Sequence, residues 1–325
     1  MGELYPLVSI ITPTYNRASF LHETIQSVLT QDYSRIEYIV LDDGSTDSTR
    51  EVLAMYSGRL IWERHANMGE TRTVNKGFSM AKGEIVAVVN SDDPLLPGAV
   101  SEAVAFMQAH PDVLVAYPDW NEIGPDSKVI RHMQVREYDY LYMLRRHYCT
   151  PGPGAFIRRK TFELIGMRDP GFIYVADFEY WLRLGLYGKF ARIPKTLAMW
   201  RTHPGSTLLS QRGKSMAHEH IRLIEKYYSN HELPAEVRKV RAEAYSWAYL
   251  MAAVICRSAR REALKFLLRS ILYHPQGYLL DFYSVASALS QILPKPIYNS
   301  LVKVWHTARP ISATCRWVLR RIPEE

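Results

Sequence analysis

Short apolar runs alternate with amphipathic stretches along the first third of the chain. Residues 7–11, 36–41 and 85–89 are β-rich runs, and the segments between them repeat apolar residues with the 3.6-residue period of a helix. The run at 85–89 is apolar throughout, which is typical of a strand covered on both faces. This alternation predicts a β-α-β order, and therefore an α/β fold with a mostly parallel, doubly wound sheet flanked by helices.

The hydrophobic pattern changes at about residue 210. Up to that point strand and helix signals are mixed, with short strands predicted at 190–193 and 197–200 and an irregular loop at 120–134. Beyond it strand signals fade, and helical periodicity continues to about residue 321. We therefore predict two domains, an α/β domain of residues 1–210 and an all-α extension of residues 211–325.

The composition, with 47% hydrophobic and 22% charged residues, excludes a disordered chain, a collagen and a coiled-coil rod. Cys149, Cys256 and Cys315 are far apart and form no CxxC pair, which argues against a disulfide scaffold or a cysteine zinc site. The opening residues lack the basic and apolar regions of a signal peptide, and the apolar run at 247–256 is too short to span a bilayer. We therefore expect a cytoplasmic protein.

Two acidic pairs follow predicted strands. Asp42 and Asp43 come after the run at 36–41, and Asp92 and Asp93 come just after the run at 85–89. Since parallel strands bind ligands beyond their carboxyl ends, we expect both pairs at one rim of the sheet. A divalent cation bridges carboxylate and diphosphate oxygens, so the second pair predicts an anchor for Mn²⁺ or Mg²⁺.

A series of sequence blocks resembles those of glycosyltransferase family 2, in that family's order and spacing over about residues 7–207. The blocks are VSIITPTYNR at 8–17, DDGSTD at 42–47, NMG at 67–69, NKG at 75–77, KGE at 82–84, SDD at 91–93, PGPGAFIRR at 151–159, DFEYWLR at 177–183 and RTHPGS at 201–206. Each block alone is weak evidence, but their register is specific. Neither GxGxxG nor a P-loop occurs, so the common nucleotide fingerprints do not apply.

The resemblance implies a GT-A fold and an inverting transfer of a sugar from a nucleotide-diphosphate sugar, most simply a UDP-sugar, to a hydroxyl acceptor in surface polysaccharide or glycan biosynthesis. It implies that Asp43 binds the base, that Asp93 binds the metal, and that Asp92 contacts sugar or ribose. Asp177 aligns with the catalytic base, and His203 with a position that in some members meets the metal or diphosphate.

Further donor contacts follow from the residues around these acids. The backbone of Thr12, Pro13 and Thr14 can line the nucleoside, and Arg201 can stabilise the charge that grows on the leaving diphosphate. Arg72 fits either a donor contact or an exposed helix arginine. The acids also have plain structural explanations, since such residues are common in turns and in the first turn of a helix.

Two positions depart from the family pattern. Asn90 stands where the common Asp-x-Asp-Asp motif has its first acid, and Ala176 replaces the glutamate that usually precedes Asp177. These departures keep open an alternative, a non-catalytic sugar-nucleotide-binding or scaffold protein of the same fold. A nucleotidyltransferase is disfavoured because no glycine-rich phosphate loop followed by a basic residue opens the chain.

The C-terminal segment is rich in basic residues, at 257–269 and again at 303–321, where Trp305 and Trp317 are interleaved. This pattern fits peripheral contact with an anionic inner membrane face, or ordinary packed helices with a solvated basic side. No nucleic-acid-binding module is recognisable, so we expect no nucleic-acid partner. The expected partners are a nucleotide-sugar donor and a glycan or lipid-linked acceptor.

Overall fold

The computed structural model describes residues 5–206, 210, 213–280, 286 and 289–308. The chain divides into two compact units, residues 1–211 and 212–325. The basic and aromatic residues noted beyond position 308 lie outside the described residues.

Strands and helices alternate strictly in the first part of the first unit. Their bounds are β1 Val8–Thr14, α1 Ala18–Leu29, β2 Ile36–Asp42, α2 Thr49–Ala54, β3 Ile61–Arg64, α3 Glu70–Met80, β4 Ile85–Val88 and α4 Ala99–Ala109. The order that the hydrophobic pattern predicts is thus confirmed.

The second part of this unit is mixed. It contains β5 Val113–Ile123, β6 Val129–Met133, α5 Tyr140–Arg146, β7 Phe156–Arg158, α6 Thr161–Ile165, α7 Ala176–Leu184 and β8 Lys189–Arg201. The predicted irregular loop at 120–134 is wrong, because β5 and β6 pair there as an antiparallel hairpin. The two short strands predicted at 190–193 and 197–200 are one strand, β8, whose pairing with β5 has register shifts.

The eight strands of the described residues form one sheet, in the order β3-β2-β1-β4-β7-β5-β6, with β8 also paired to β5. Strands β1 to β4 are parallel, whereas β7 runs antiparallel to both β4 and β5. The strand order reverses at β1, because β2 lies on one side of it and β4 on the other. Such a switch point opens a crevice beyond the carboxyl ends of the two strands, which is where open α/β sheets bind ligands.

Successive side chains of β1 enter different cores on the two faces of the sheet. Ile10 is fully buried in a large cluster that includes Leu21 of α1 and Val100 of α4. Ile11 is fully buried in a smaller cluster with Phe78 of α3. Since strand side chains alternate between faces, a strand covered on both sides has to be apolar at consecutive positions. The α/β fold class, with helices flanking a central sheet, is confirmed.

The second unit is helical over its described residues. Its helices are α8 Lys214–Tyr228, α9 Ala235–Lys239, α10 Arg241–Ile255, α11 Arg260–Tyr273, α12 Pro275–Leu280 and α13 Lys295–Ala308. Helix α10 packs against both α8 and α11. Buried Ser246 and Ser270 join α10 to α11, since the hydroxyl of each donates a hydrogen bond to the carbonyl oxygen of the other. Within the described part of the chain, no helix is both long and apolar enough to cross a membrane.

Candidate active site

Asp42, the last residue of β2, shapes the turn at this rim. It is fully buried, and its Oδ1 accepts a hydrogen bond from the Ser45 amide at 2.9 Å, while its Oδ2 lies 3.3 Å from Arg64 Nε. Gly44 follows with a φ of +79°, and an added Cβ would come within 2.8 Å of the Asn67 amide nitrogen. The turn therefore requires glycine, and Asp42 has a structural role in it.

Asp43 fastens the loop that leads into α3. Its carboxylate accepts hydrogen bonds from the amides of Met68 at 2.7 Å and Gly69 at 3.0 Å, and His65 Nδ1 lies 3.4 Å away. Its own amide donates to the carbonyl oxygen of Thr14 at 2.9 Å. These contacts place the carboxylate beside the end of β1, and its contact with a nucleobase stays a prediction.

The predicted nucleoside lining, Thr12, Pro13 and Thr14, forms the buried end of β1. The Thr12 hydroxyl is 3.1 Å from the Tyr38 hydroxyl and so faces the core. The buried hydroxyl of Thr14 has no hydrogen-bond partner among the described residues. Of these three side chains, Thr14 therefore keeps polar capacity for a ligand.

Asp92 and His203 meet at the end of β4, although 111 positions separate them in the chain. Asp92 Oδ2 is 3.0 Å from His203 Nε2 and accepts a hydrogen bond from Arg17 Nε at 3.1 Å. Arg17 also donates to the Gly205 carbonyl oxygen at 2.8 Å, which ties the end of β1 to the segment after β8. The other oxygen of Asp92 accepts no hydrogen bond from the described part of the protein.

Asp93 turns inward and is only 7% exposed. Its oxygens accept hydrogen bonds from the Arg201 amide at 2.8 Å and from Asn90 Nδ2 at 3.0 Å. Burial, and then the charge of Asp92, raise the pKa of Asp93 to about 8. The departure from the family pattern at position 90 therefore has a physical explanation. Asn90 donates a hydrogen bond to Asp93, whereas an aspartate at this position would repel it.

Arg201 holds the segment that carries Asp92 and Asp93 in place. Its side chain is 1% exposed, and all three guanidinium nitrogens are bonded: Nε to the Asp92 carbonyl oxygen at 2.9 Å, Nη1 to Ser127 Oγ at 2.9 Å and Nη2 to Glu23 Oε2 at 2.7 Å. This geometry does not support the predicted donor contact of Arg201. The residue shapes the site without facing it.

Asp177 lies in the first turn of α7. Its Oδ1 accepts a hydrogen bond from the Phe178 amide at 2.7 Å, and its Oδ2 lies 4.0 Å from the Cys149 Sγ. Burial, and then the charge of Asp177, raise the pKa of the Cys149 thiol well above its usual range. The preceding Ala176 is 5% exposed, so this position faces the interior and suits a small apolar residue.

Glu70 lies at the start of α3, directly after Gly69, whose amide donates to Asp43. Its side chain is exposed, and desolvation is the largest effect that raises its pKa. The charges of Arg168 and Arg17 lower this pKa, and those of Asp177 and Asp92 raise it. The charges of both predicted functional acids therefore act on the Glu70 carboxylate.

Sequence reasoning missed Arg17, Glu70 and Arg168 as site residues. Arg17 belongs to the first family block, but the other two carry no motif, and only the folded chain brings them near Asp177. Arg72, by contrast, is exposed on α3 and forms no hydrogen bond or ion pair with a described residue, so its donor contact stays a prediction.

The residues present can hold a divalent cation only together with a ligand. No three His, Cys, Asp or Glu side chains in the described ranges are arranged to hold a metal by themselves. Asp92 offers an open carboxylate oxygen next to His203 Nε2, and each oxygen of Asp93 accepts one hydrogen bond and keeps a second lone pair, so metal binding by Asp93 stays a prediction. This donor set suits an oxygen-binding cation that takes its remaining ligands from a diphosphate and water.

An α/β sheet with this switch point, and with acids from distant segments in its crevice, defines a GT-A glycosyltransferase fold. Residues 9–166 match the model of the family described as glycosyl transferase family 2. The match covers slightly less than half of the chain and bears out the resemblance seen in its sequence blocks.

Two curated relatives are similar over part of the chain. An uncharacterised glycosyltransferase of Rickettsia typhi is 29% identical over 191 residues, which cover 55% of this chain and 58% of the relative. The putative teichuronic acid biosynthesis glycosyltransferase TuaG of Bacillus subtilis is 38% identical over 108 residues, 31% of this chain and 42% of TuaG. The matched part of the chain therefore spans between 42% and 58% of the length of these two relatives.

Two solved structures share the fold. TarS 1-349 of S. aureus in complex with UDP-GlcNAc has a TM-score of 0.58 at 18% identity, covering 88% of this chain and 82% of that one. The mannosyltransferase PcManGT from Pyrobaculum calidifontis, in complex with GDP-Man and Mn2+, has a TM-score of 0.58 at 18% identity, covering 93% and 85%.

Proposed function

We propose that this protein is a metal-dependent inverting glycosyltransferase that moves a sugar from a nucleotide-diphosphate sugar, most simply a UDP-sugar, to a hydroxyl group. The proposed acceptor is a glycan or lipid-linked molecule in surface polysaccharide or glycan biosynthesis. The observation that carries the proposal is the meeting of Asp92 with His203 and Arg17 beyond the carboxyl end of β4, next to the switch point of the sheet. The names of TuaG and of the UDP-GlcNAc and GDP-Man complexes support the substrate class.

The end of the cleft at β4 is proposed to hold the diphosphate. Asp93 and His203 would ligate Mn²⁺ or Mg²⁺ together with Asp92, whose Oδ2 lies 3.0 Å from His203 Nε2, and the cation would neutralise the charge of the departing diphosphate. Arg17 orients Asp92 and presents a guanidinium, 21% exposed, on the same side. Asp93, fixed by Asn90 and the Arg201 amide, holds the rim in shape.

The end of the cleft at α7 is proposed to hold the acceptor. Asp177 accepts the proton of the acceptor hydroxyl while its oxygen forms a bond to C1 of the sugar. The bond from C1 to the diphosphate oxygen breaks on the opposite face, and the electron pair leaves with the diphosphate. One displacement assisted by one base inverts the anomeric centre and needs no covalent intermediate.

The direct test is a panel of UDP-, GDP- and dTDP-sugars incubated with the full chain, a broad acceptor set and Mn²⁺ or Mg²⁺. We expect a nucleoside diphosphate and a glycosylated product of inverted configuration. Nucleotide binding without turnover of any donor would instead favour the scaffold alternative, and release of pyrophosphate would indicate a nucleotidyltransferase.

We further propose that the helical unit touches an anionic membrane surface through α11. Leu264, Leu268 and Leu272 form a stripe on this helix and are 44%, 62% and 79% exposed. The residues that α11 buries lie on its other side: Ala263, Phe266, Leu267 and Ser270. Exposed basic residues surround the stripe, at Arg260, Arg261, Lys265 and Arg269. An apolar stripe between cations is typical of a helix lying in the interface of an anionic bilayer.

A further inference from the structure

The imidazole of His203 packs against an aromatic ring of α1. The centre of the Phe20 ring lies 4.6 Å from the centre of the His203 ring, with 52° between the two ring planes. His203 is 6% exposed, whereas Phe20 is half-buried. The backbone of Gly205 approaches the imidazole as well, because a Cβ added there would lie 3.3 Å from His203 Nδ1. The imidazole therefore has little room to leave its rotamer.

The side chain of Arg201 gives the Phe20 ring a rigid support. Its guanidinium carbon lies 4.8 Å from the centre of this ring, which is within the range of a cation–π contact. The guanidinium is itself immobile, because it is buried and all three of its nitrogens form hydrogen bonds. Phe20 therefore connects a fixed cation to the imidazole of His203.

The turn of the chain that carries Phe20 also carries Arg17. The Phe20 amide donates a hydrogen bond to the Arg17 carbonyl oxygen at 3.0 Å, at the start of α1. Arg17 Nε donates to Asp92 Oδ2 at 3.1 Å, and the same oxygen lies 3.0 Å from His203 Nε2. One turn therefore fixes both groups that meet beyond β4, since Arg17 orients the carboxylate and Phe20 contacts the imidazole.

We propose that Phe20 is a positioning residue of the proposed metal site and holds the His203 imidazole with its Nε2 toward Asp92. Ligands that are already in place lose less freedom when a cation binds, so the cation is bound more tightly. Phe20 has no polar side-chain atom and therefore acts only through His203. The inference rests on the proposed function and deepens it.

The experiment measures how much Mn²⁺ tightens the binding of a nucleoside diphosphate. Calorimetry gives the dissociation constants of UDP, GDP and dTDP in EDTA and in excess Mn²⁺. The metal gain is the ratio of these two constants for the nucleotide that the wild type binds most tightly. The full chain is compared as wild type, Phe20→Leu, Phe20→Tyr, His203→Gln, and a double variant that combines Phe20→Leu with His203→Gln. The measurement requires neither an acceptor nor turnover.

Phe106→Leu on α4 is the matched control. Phe106 is also half-buried and also packs on a histidine, with 4.3 Å between the ring centres of Phe106 and His110. This pair lies at the other end of the sheet, because the His110 carbonyl oxygen accepts a hydrogen bond from Arg158, which pairs with Ile85 at the start of β4. Thermal midpoints identify any variant that fails to fold.

We expect Phe20→Leu to reduce the metal gain by about tenfold, as is usual for a residue that orients a metal ligand. The dissociation constant in EDTA should stay within about twofold of the wild-type value. Phe20→Tyr retains the ring and should keep the metal gain, as should Phe106→Leu. Phe20→Leu should cause no further loss in a protein that already carries His203→Gln, because a residue that acts through another is not additive with it.

A wild-type metal gain in Phe20→Leu would overturn the inference. Equal weakening of nucleotide binding with and without Mn²⁺ would also overturn it, because this result indicates a purely structural role. A loss in Phe20→Tyr as large as in Phe20→Leu, or a further loss in the double variant, would contradict an action of the ring through His203. These results leave the proposed function standing if the wild type shows a metal gain. A wild type without a metal gain would instead remove the metal site of the proposed function, and the inference with it.

Discussion

Asp177 is the residue at which catalysis and binding separate most cleanly. Asp177→Asn keeps the shape of the side chain and its hydrogen bond from the Phe178 amide, but it cannot take up the proton of the acceptor. We expect kcat to fall by about 10²–10⁴-fold, the usual contribution of a general base. The dissociation constant of the nucleoside diphosphate should change by less than about twofold, because the diphosphate lies at the other end of the cleft.

Steady-state kinetics and calorimetry on the same preparation check this prediction. Cys149→Ser is a useful companion, since it touches the same carboxylate without supplying a base. A normal kcat in Asp177→Asn would show that another group takes the proton.

Asp93 makes the stability of the protein depend on pH. Its pKa rises from the ordinary 3.8 to about 8 in the folded state, so between these values the folded protein holds a proton that the unfolded chain has lost. The protonated Asp93 therefore contributes its full stability below the unfolded-state pKa of 3.8. This stability is lost as the pH rises to the folded-state pKa of about 8. Without divalent cations, the wild type should therefore lose stability between about pH 5 and 8, and Asp93→Asn should lose less.

Urea unfolding in the presence of a chelator measures this difference. Asp126→Asn serves as the control, because Lys128 lowers the pKa of the exposed Asp126 and its titration ends well below that range. Parallel pH profiles for wild type and Asp93→Asn would show that Asp93 is ionised in both states.

At the scale of single elements, α11 offers a test that does not depend on catalysis. Leu268 and Leu272 are among the most exposed leucines, so serine at both positions removes membrane contact without opening a core. We expect binding to vesicles rich in phosphatidylglycerol to weaken by at least about tenfold, in line with the loss of two inserted leucines. Wild-type binding should also weaken with added salt and with neutral phosphatidylcholine vesicles.

Sedimentation with vesicles measures this partitioning, and Leu164→Ser is the matched control. Leu164 lies on α6 in the other unit and is 46% exposed, close to the value for Leu264. Equal binding of wild type and the double variant would exclude α11 as the contact, and an absence of binding by the wild type at low salt would end the membrane proposal.

Element prediction from the sequence succeeded where both faces of a strand are buried. Consecutive apolar residues predict β4 directly, because no polar position interrupts it, and in β1 only Ser9 interrupts the apolar run that precedes Thr12. The pattern failed at β5 and β8, which are long and carry polar residues and a proline, such as Pro118 at a register shift. There the pairing between strands overrides local propensity, and the sequence shows only fragments.

At the scale of the whole molecule, the sequence could place the acids at strand ends but not orient them. The two members of the pair at 92–93 look equivalent in the sequence, yet Asp92 faces Arg17 and His203, whereas Asp93 faces inward. This difference depends on Arg201, whose amide comes from a strand more than one hundred residues later. Glu70 and Arg168 also belong to no sequence motif. Their relation to the site depends on charges that other segments of the folded chain bring near them.

The pairing of β5 with β8 also sets the order in which the protein can be completed on the ribosome. Once β4 has been synthesised, strands β1 to β4 can pair in parallel with one another. Strand β5 cannot complete its pairing until β8 follows, because Val113 pairs with Lys189 and Ile123 with Arg201. Until then the Asp93 carboxylate lacks its amide donor, and Asp92 lacks His203. A nascent chain that has emerged only as far as β7 therefore has most of the sheet and no working centre.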